Sequence, residues 1–253
     1  YFNFVLGGLK FSLSQTVINT WVLMLIIMFI VGAGTKKVSV ENPSKMQIVM
    51  EEYYHFIENT FLTTFGKHKK TYIPFFSALF AFIMFSNLST FLFPYIMMVI
   101  NEDGVKMVKP FFRTPTADPN TTIGLSLVVI VLFLAVSIKQ KGLRGYIKSL
   151  FEPMWFMFPL NIVDIFSKVL NTSMRLFGNM LAGLVIVGLL YSLVGRGLLQ
   201  SLTHDMLKGS FSFSVGWPMI IQLYLDLFIG IVQAFVFTIL SSVYISEALG
   251  EEE

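Results

Sequence analysis

The sequence predicts an all-α integral membrane protein with five transmembrane crossings, one amphipathic interfacial helix and a final tilted hairpin of two long helices. Three observations carry this reading. Of 253 residues, 55% are hydrophobic and only 13% are charged, with a mean hydropathy of +0.73, outside the range of soluble globular domains. Apolar runs long enough to cross a bilayer recur along the chain. The basic residues gather in clusters between those runs instead of spreading evenly.

The first run, residues 17–33, is about 17 residues long, the lower end of what crosses a bilayer, and Lys36 and Lys37 follow it. Residues 1–14 hold a single Lys and no small-residue cleavage site, so they do not read as a cleaved signal peptide. From Pro43 to Phe65, Lys45, Gln47, Glu51, Glu52, His55 and Glu58 are interleaved with apolar and aromatic residues. This is the pattern of a helix lying on or beside the membrane, with the acidic residues and His55 on its wet face. It ends in the basic cluster Gly66-Lys67-His68-Lys69-Lys70.

The second span is expected over 71–100, interrupted by Asn87 and ending near Pro94-Tyr95, with a polar loop over 101–120. Asn87 reads as a helix-packing hydrogen bond. The third span, 121–138, is followed by Lys139, Lys141, Arg144 and Lys148. Pro153 and Pro159 break the entry into the apolar segment 160–195. A loop holding Arg196, His204, Asp205 and Lys208 leads to the last apolar segment, 216–247, and the acidic tail Glu251-Glu252-Glu253. If the three basic clusters share the inner side of the membrane, the threading puts the N-terminus outside and the C-terminus inside.

Several function classes drop out. The chain has no Cys, which removes disulfide frameworks, thiolate metal sites and cysteine nucleophiles. A net charge of +3 gives no argument for nucleic acid. No repeat of 20–50 residues, Gly-rich phosphate loop or zinc-type His cluster occurs, so no cofactor or metal site is expected.

Ionisable groups within the spans are few. The segment from 160 carries Asp164, Lys168 and Arg175, with Asn179 one turn later; the last carries Gln222, Asp226 and Gln233. A charge at the bilayer centre costs roughly 2.5–3.5 kcal/mol on insertion scales, so each needs a partner or water. Asp164 and Lys168 stand at i,i+4 and can neutralise each other, as an interfacial stabilising pair or a functional one. Asp164 to Arg175 covers about 16 Å of helix axis, so the stripe runs from one surface towards mid-membrane. On the last helix Gln222, Asp226, Gly230 and Gln233 share a face, with Gly230 allowing close approach. Folded about a turn near residue 204, the hairpin sets Arg175 level with Gln233, and Asn179 close to Asp226. Two polar stripes then face each other, one running inward from Arg175 and one outward. The plainer alternative makes Arg175 a structural cation neutralised by Asp226. Asp118, at the outer edge of the third span, reads as a solvated loop acid or as part of the outer stripe.

The stretch Ser173-Met-Arg175-Leu-Phe-Gly-Asn179-Met-Leu-Ala-Gly183 closely resembles the signature of subunit a of F-type ATP synthases. Pro43-Ser-Lys45-Met-Gln47, Pro115-Thr-Ala-Asp118-Pro-Asn120, Phe166-Ser-Lys168 and Gln233-Ala-Phe235 resemble further landmarks of that family, in order, over nearly the whole chain. The resemblance implies an ion-translocating stator subunit of a rotary enzyme: one membrane domain, 1–253, containing a translocating hairpin, 160–248. Two offset half-channels would carry protons, or sodium ions, to and from carboxylates on a ring of c subunits. Arg175 would attract each charged carboxylate and favour ion release. Asn179, Asp226, Gln233 and Asp118 match positions of the outer half-channel, and Asp164 and Lys168 would lie along the inner one. Gln222 joins them on the polar face of the last helix. The implied partners are the c-ring, the b-subunit stator stalk, the other synthase subunits and the lipid bilayer. No catalytic centre belongs to this chain, since phosphoryl transfer would occur on a soluble headpiece. The implied location is a bacterial plasma membrane, with the mitochondrial inner membrane as the alternative. One departure stands out: Leu184 occupies a position where the family usually has Glu or His, so Asp226 is left as a single carboxylate. The rival reading is a stand-alone ion channel or cation/proton antiporter, which would need an internal carboxylate; Asp226 is the deep candidate.

Overall fold

The computed structural model describes the backbone of residues 2–6, 9–36, 38–92, 97–102, 105–110, 114–152, 154–195 and 213–250. The described side chains lie within 14–89, 114–189 and 224–250; those of Leu184, Gln222 and Asp226 lie outside the description.

The apolar runs become helices α1 (Gln15–Thr35), α3 (Lys69–Leu92) and α4 (Pro119–Ser149), and the amphipathic stretch becomes α2 (Lys45–Phe61). The two long helices are α5 (Phe158–Gly195) and α6 (Phe213–Leu249). Their boundaries follow local chemistry. Ser44 caps α2 by accepting the Gln47 backbone N–H at 3.1 Å, satisfying one of the donors a helix start leaves free. Gly66, at φ +44°, makes the corner between α2 and α3, a conformation that only glycine adopts without strain. Asp118 caps α4 through the Asn120 N–H at 3.0 Å, with Pro119 in the first helical position. Gly142, at φ +69°, breaks α4 within its basic stretch, after Lys139 and Lys141 and before Arg144 and Lys148.

Four helical segments, Thr16–Thr35, Thr63–Ser89, Pro119–Ser149 and Leu227–Leu249, are long and apolar enough to cross a membrane. The segment 160–195, expected as a further crossing, lies in α5, which is not among these four. With 38 and 37 residues, α5 and α6 are about 55 Å long, well beyond the ~30 Å of a hydrocarbon core.

The molecule is not wholly helical. Strands β1 (Phe2–Leu6) and β2 (Leu9–Leu13) form one antiparallel hairpin, and β3 (Met97–Glu102) and β4 (Val105–Pro110) form another. The second corrects the expected span over 71–100 and loop over 101–120: α3 ends at Leu92. Residues 97–100 pair with 107–110 in strand register. The β-branched Val99, Ile100 and Val105 favour strands, and Glu102 pairs with Val105 at the end of the ladder.

The core lies where α2, α3, α4 and α6 meet. Ile57 and Phe61 of α2 pack with Phe65, with Phe76 and Ile83 of α3, and with Phe237 and Ile245 of α6, all at most 3% exposed. Phe61 lies 5.5 Å from Phe80 and 5.4 Å from Phe235, ring centre to ring centre, within the separation at which aromatic pairs attract. The Ser242 hydroxyl donates to the Phe61 carbonyl, one of the acceptors that the end of α2 leaves free. Thr238 and Ser241 donate back to the carbonyls of Ala234 and Phe237, so α6 buries hydroxyls without orphaning them.

Candidate functional site

Helix α5 carries the stripe. Thr172, Ser173 and Leu176 are buried, whereas Asn171, Met174, Gly178, Leu181 and Ala182 are exposed. Arg175 stands at the border, half-buried, and Asn179 is half-buried beside it. The Arg175 guanidinium donates to Asn171 Oδ1 at 3.5 Å, the limit of a hydrogen bond; among the described residues it has no carboxylate partner. Next to it, a Cβ placed on Gly178 or Gly183 would meet nothing within 4 Å. The exposed side of α5 next to the arginine thus alternates small residues, Gly178 and Ala182, with the larger Met174 and Leu181. Whether Asp226 neutralises Arg175 falls outside the described residues, since that side chain is not described.

Further along the stripe, Lys168 lies 3.2 Å from Asp164, in the i,i+4 pair expected from spacing. It also lies 3.1 Å from Glu247 of α6. The ammonium sits over the rings of Phe133 and Tyr244, 5.0 and 5.4 Å from their centres, so α4, α5 and α6 converge on one cation. A polar cavity opens there, lined by Asp164, Lys168, Glu247, Lys141, Tyr146 and Asn161 among others.

A second junction joins α3 to α6. Asn87, 3% exposed, donates its amide to the Gly230 carbonyl at 2.8 Å and accepts the Thr116 hydroxyl at 2.6 Å. A Cβ on Gly230 would approach the Asn87 Cβ to 3.0 Å, so glycine is what lets the two helices come this close. Asn87 is therefore the packing residue its sequence context indicates. Gly230 and Gln233 are both buried, on the shared face expected of them. Asp118, besides capping α4, accepts the Thr16 hydroxyl of α1 at 2.9 Å, which makes it a joint between helices. Gln222 belongs to α6, with its side chain outside the description.

Two contributors escaped the sequence reading. Glu247 follows Gln233 by two heptads, so extending the polar face along the helix reaches it. Thr116 was hidden in the polar loop: Pro115–Ala117 is a short 3-10 turn whose Thr116 is fully buried. Among the described residues no group of three His, Cys, Asp or Glu could hold a metal ion.

Residues 17–246 match the family model described as ATP synthase A chain. The chain is 40% identical over 247 residues to "ATP synthase subunit a, sodium ion specific" of Propionigenium modestum, covering 98% of this chain and 78% of that protein. It is 30% identical to ATP synthase subunit a of Moorella thermoacetica, covering 92% of this chain and 89% of that one. With that of Bacillus subtilis the identity is 31%, over 97% and 95%. A family match across nearly the whole chain, together with helices fit to cross a membrane and an arginine-centred polar stripe, leads to one conclusion: the chain belongs to the ATP synthase subunit a family, the ion-translocating membrane subunit of the F-type enzyme.

Proposed function

We propose that Arg175 divides two half-channels that carry a cation to and from the carboxylates of a c-ring turning against the open face of α5. The observation that carries this is Arg175 itself: half-buried, without a carboxylate partner among the described residues, and one turn from the exposed Gly178. A guanidinium in a membrane helix requires a counter-charge, and a partner packed on this face supplies one. That carboxylate is held ionised beside the cation, which favours release of its ion on arrival. Asn179, Gln233, Asp226, Gln222 and Asp118 line the outer path, and Asp164 and Lys168 the inner. The hairpin 160–248 is the translocating part of a single domain.

The chain threads the membrane five times with its N-terminus outside, and it works in a bacterial plasma membrane beside the c-ring and the b-subunit stalk. The basic clusters at 67–70 and 139–148 support this orientation. The 40% identity to the sodium-specific protein of Propionigenium modestum, together with Leu184 where a protonatable residue is usual, favours sodium over protons as the coupling ion. In vesicles holding the assembled complex, ATP-driven cation uptake disappears in Arg175→Ala, and uptake by the wild type depends on added sodium. Undiminished pumping by Arg175→Ala would make the arginine structural and sink the half-channel reading.

A further inference from the structure

The Lys168 junction does more than join two helices. Its ammonium is sheltered, with the side chain 13% exposed, while the carboxylates of Asp164 and Glu247 are each 60% exposed. The cavity beside it, about 150 Å³, also takes in Lys141. It is thus lined by two acidic and two basic groups. The Tyr146 hydroxyl in its wall is buried with no hydrogen-bond partner among the described residues, open to pairing with water or an ion. A space of this size holds several waters. A cation arriving here meets the two carboxylates first and the lysine behind them.

We propose that Glu247 and Lys168 set the electrostatic balance of the inner mouth of the ion path, Glu247 drawing the coupling cation in and Lys168 limiting how tightly it is held. This rests on the half-channel reading and extends it to a carboxylate that sequence resemblance did not assign. Neither residue is required to touch the c-ring. Both act through the local potential, which a single unit charge changes strongly in a sheltered site and weakly in high salt. The lysine occupies the position a free cation would take between the two carboxylates, so an entering ion competes with a tethered one.

A purely mechanical bridge and an electrostatic mouth make opposite predictions. Glu247→Gln and Lys168→Met break the same contact, so a strut predicts effects in the same direction. The mouth predicts opposite ones, because one variant adds net positive charge and the other net negative. The complete complex is placed in vesicles with its headpiece outward, and ATP-driven uptake is followed while the outside cation is varied. Sodium is titrated at fixed pH, and protons are titrated in sodium-free medium.

Glu247→Gln raises the half-saturating cation concentration by roughly threefold to tenfold, and Lys168→Met lowers it by a similar factor, the effect of one charge a few ångströms away. Lys141→Met, which leaves the bridge intact, also lowers it, and all three shifts shrink in high choline chloride. Shifts of Glu247→Gln and Lys168→Met in the same direction, or no shift, overturn the proposal. If either bridge variant fails to assemble, Lys141→Met decides: an unchanged half-saturating concentration overturns it. Failure of the half-channel reading shows separately, as Arg175→Ala pumping like the wild type.

Discussion

The Asn87 and Lys168 junctions both fasten α6 to a neighbouring helix, and they do so by opposite chemistry. At Asn87 everything is neutral and buried: an amide, a hydroxyl and a backbone carbonyl, with a glycine that removes the side chain otherwise in the way. At Lys168 the groups are charged, the carboxylates are largely exposed, and a cavity runs alongside. A dry, neutral joint fixes position, because each broken hydrogen bond leaves a polar group stranded. A wet, charged joint holds less tightly, because water replaces either partner at little cost. The contrast assigns rigidity to one region and responsiveness to the other.

This contrast can be broken by experiment, beginning with the largest effect. Gly230→Leu forces a side chain against Asn87 and costs about 3 kcal/mol through overpacking; the purified complex should lose thermal stability sharply. If it melts like the wild type, the close approach of α3 and α6 does not matter. Asn87→Ala removes both hydrogen bonds, strands the Thr116 hydroxyl and costs about 2 kcal/mol, read as a clear fall in melting temperature that added salt does not change. Asp118→Ala removes a helix cap and the Thr16 contact, for about 1 kcal/mol; restoration by Asp118→Asn would sharpen its assignment as a joint. Glu247→Gln is the smallest, under about 1 kcal/mol and smaller still in high salt. A stability loss there equal to that of Asn87→Ala would erase the distinction between the two junctions.

Much of this architecture could be read from residue order. The apolar runs are long and the basic clusters mark their ends, so α1, α3 and α4 were legible, as was the amphipathic α2. The Asp164–Lys168 pair followed from i,i+4 spacing alone. What escaped depended on contacts between distant segments or on short patterns that periodicity cannot separate. Residues 95–100 are apolar and continue a membrane run, and a short apolar stretch reads equally as helix end or buried strand. The sequence reading passed over the dipeptide Asp103-Gly104, a turn signal that favours the strand alternative. Glu247 stands beside an acidic tail, where a charged residue looks ordinary until Lys168 is brought to it from 79 positions away. Thr116 shows its value only once Asn87 is across from it.

The stripe Asn171, Arg175, Gly178 and Ala182 on α5 has a mechanical consequence. Beyond the arginine it is low ground, with no side chain larger than a methyl group on Gly178 or Ala182. Two helical surfaces that interlock knob into hole resist sliding, since every knob must climb out before the next step. On the proposed reading, a c-ring turning past α5 meets one long cationic side chain with low ground at Gly178 and Ala182, beside the larger exposed Met174 and Leu181. On that reading drag and stepping become separable properties of the same helix: the low ground eases passage, and the arginine sets where each step ends.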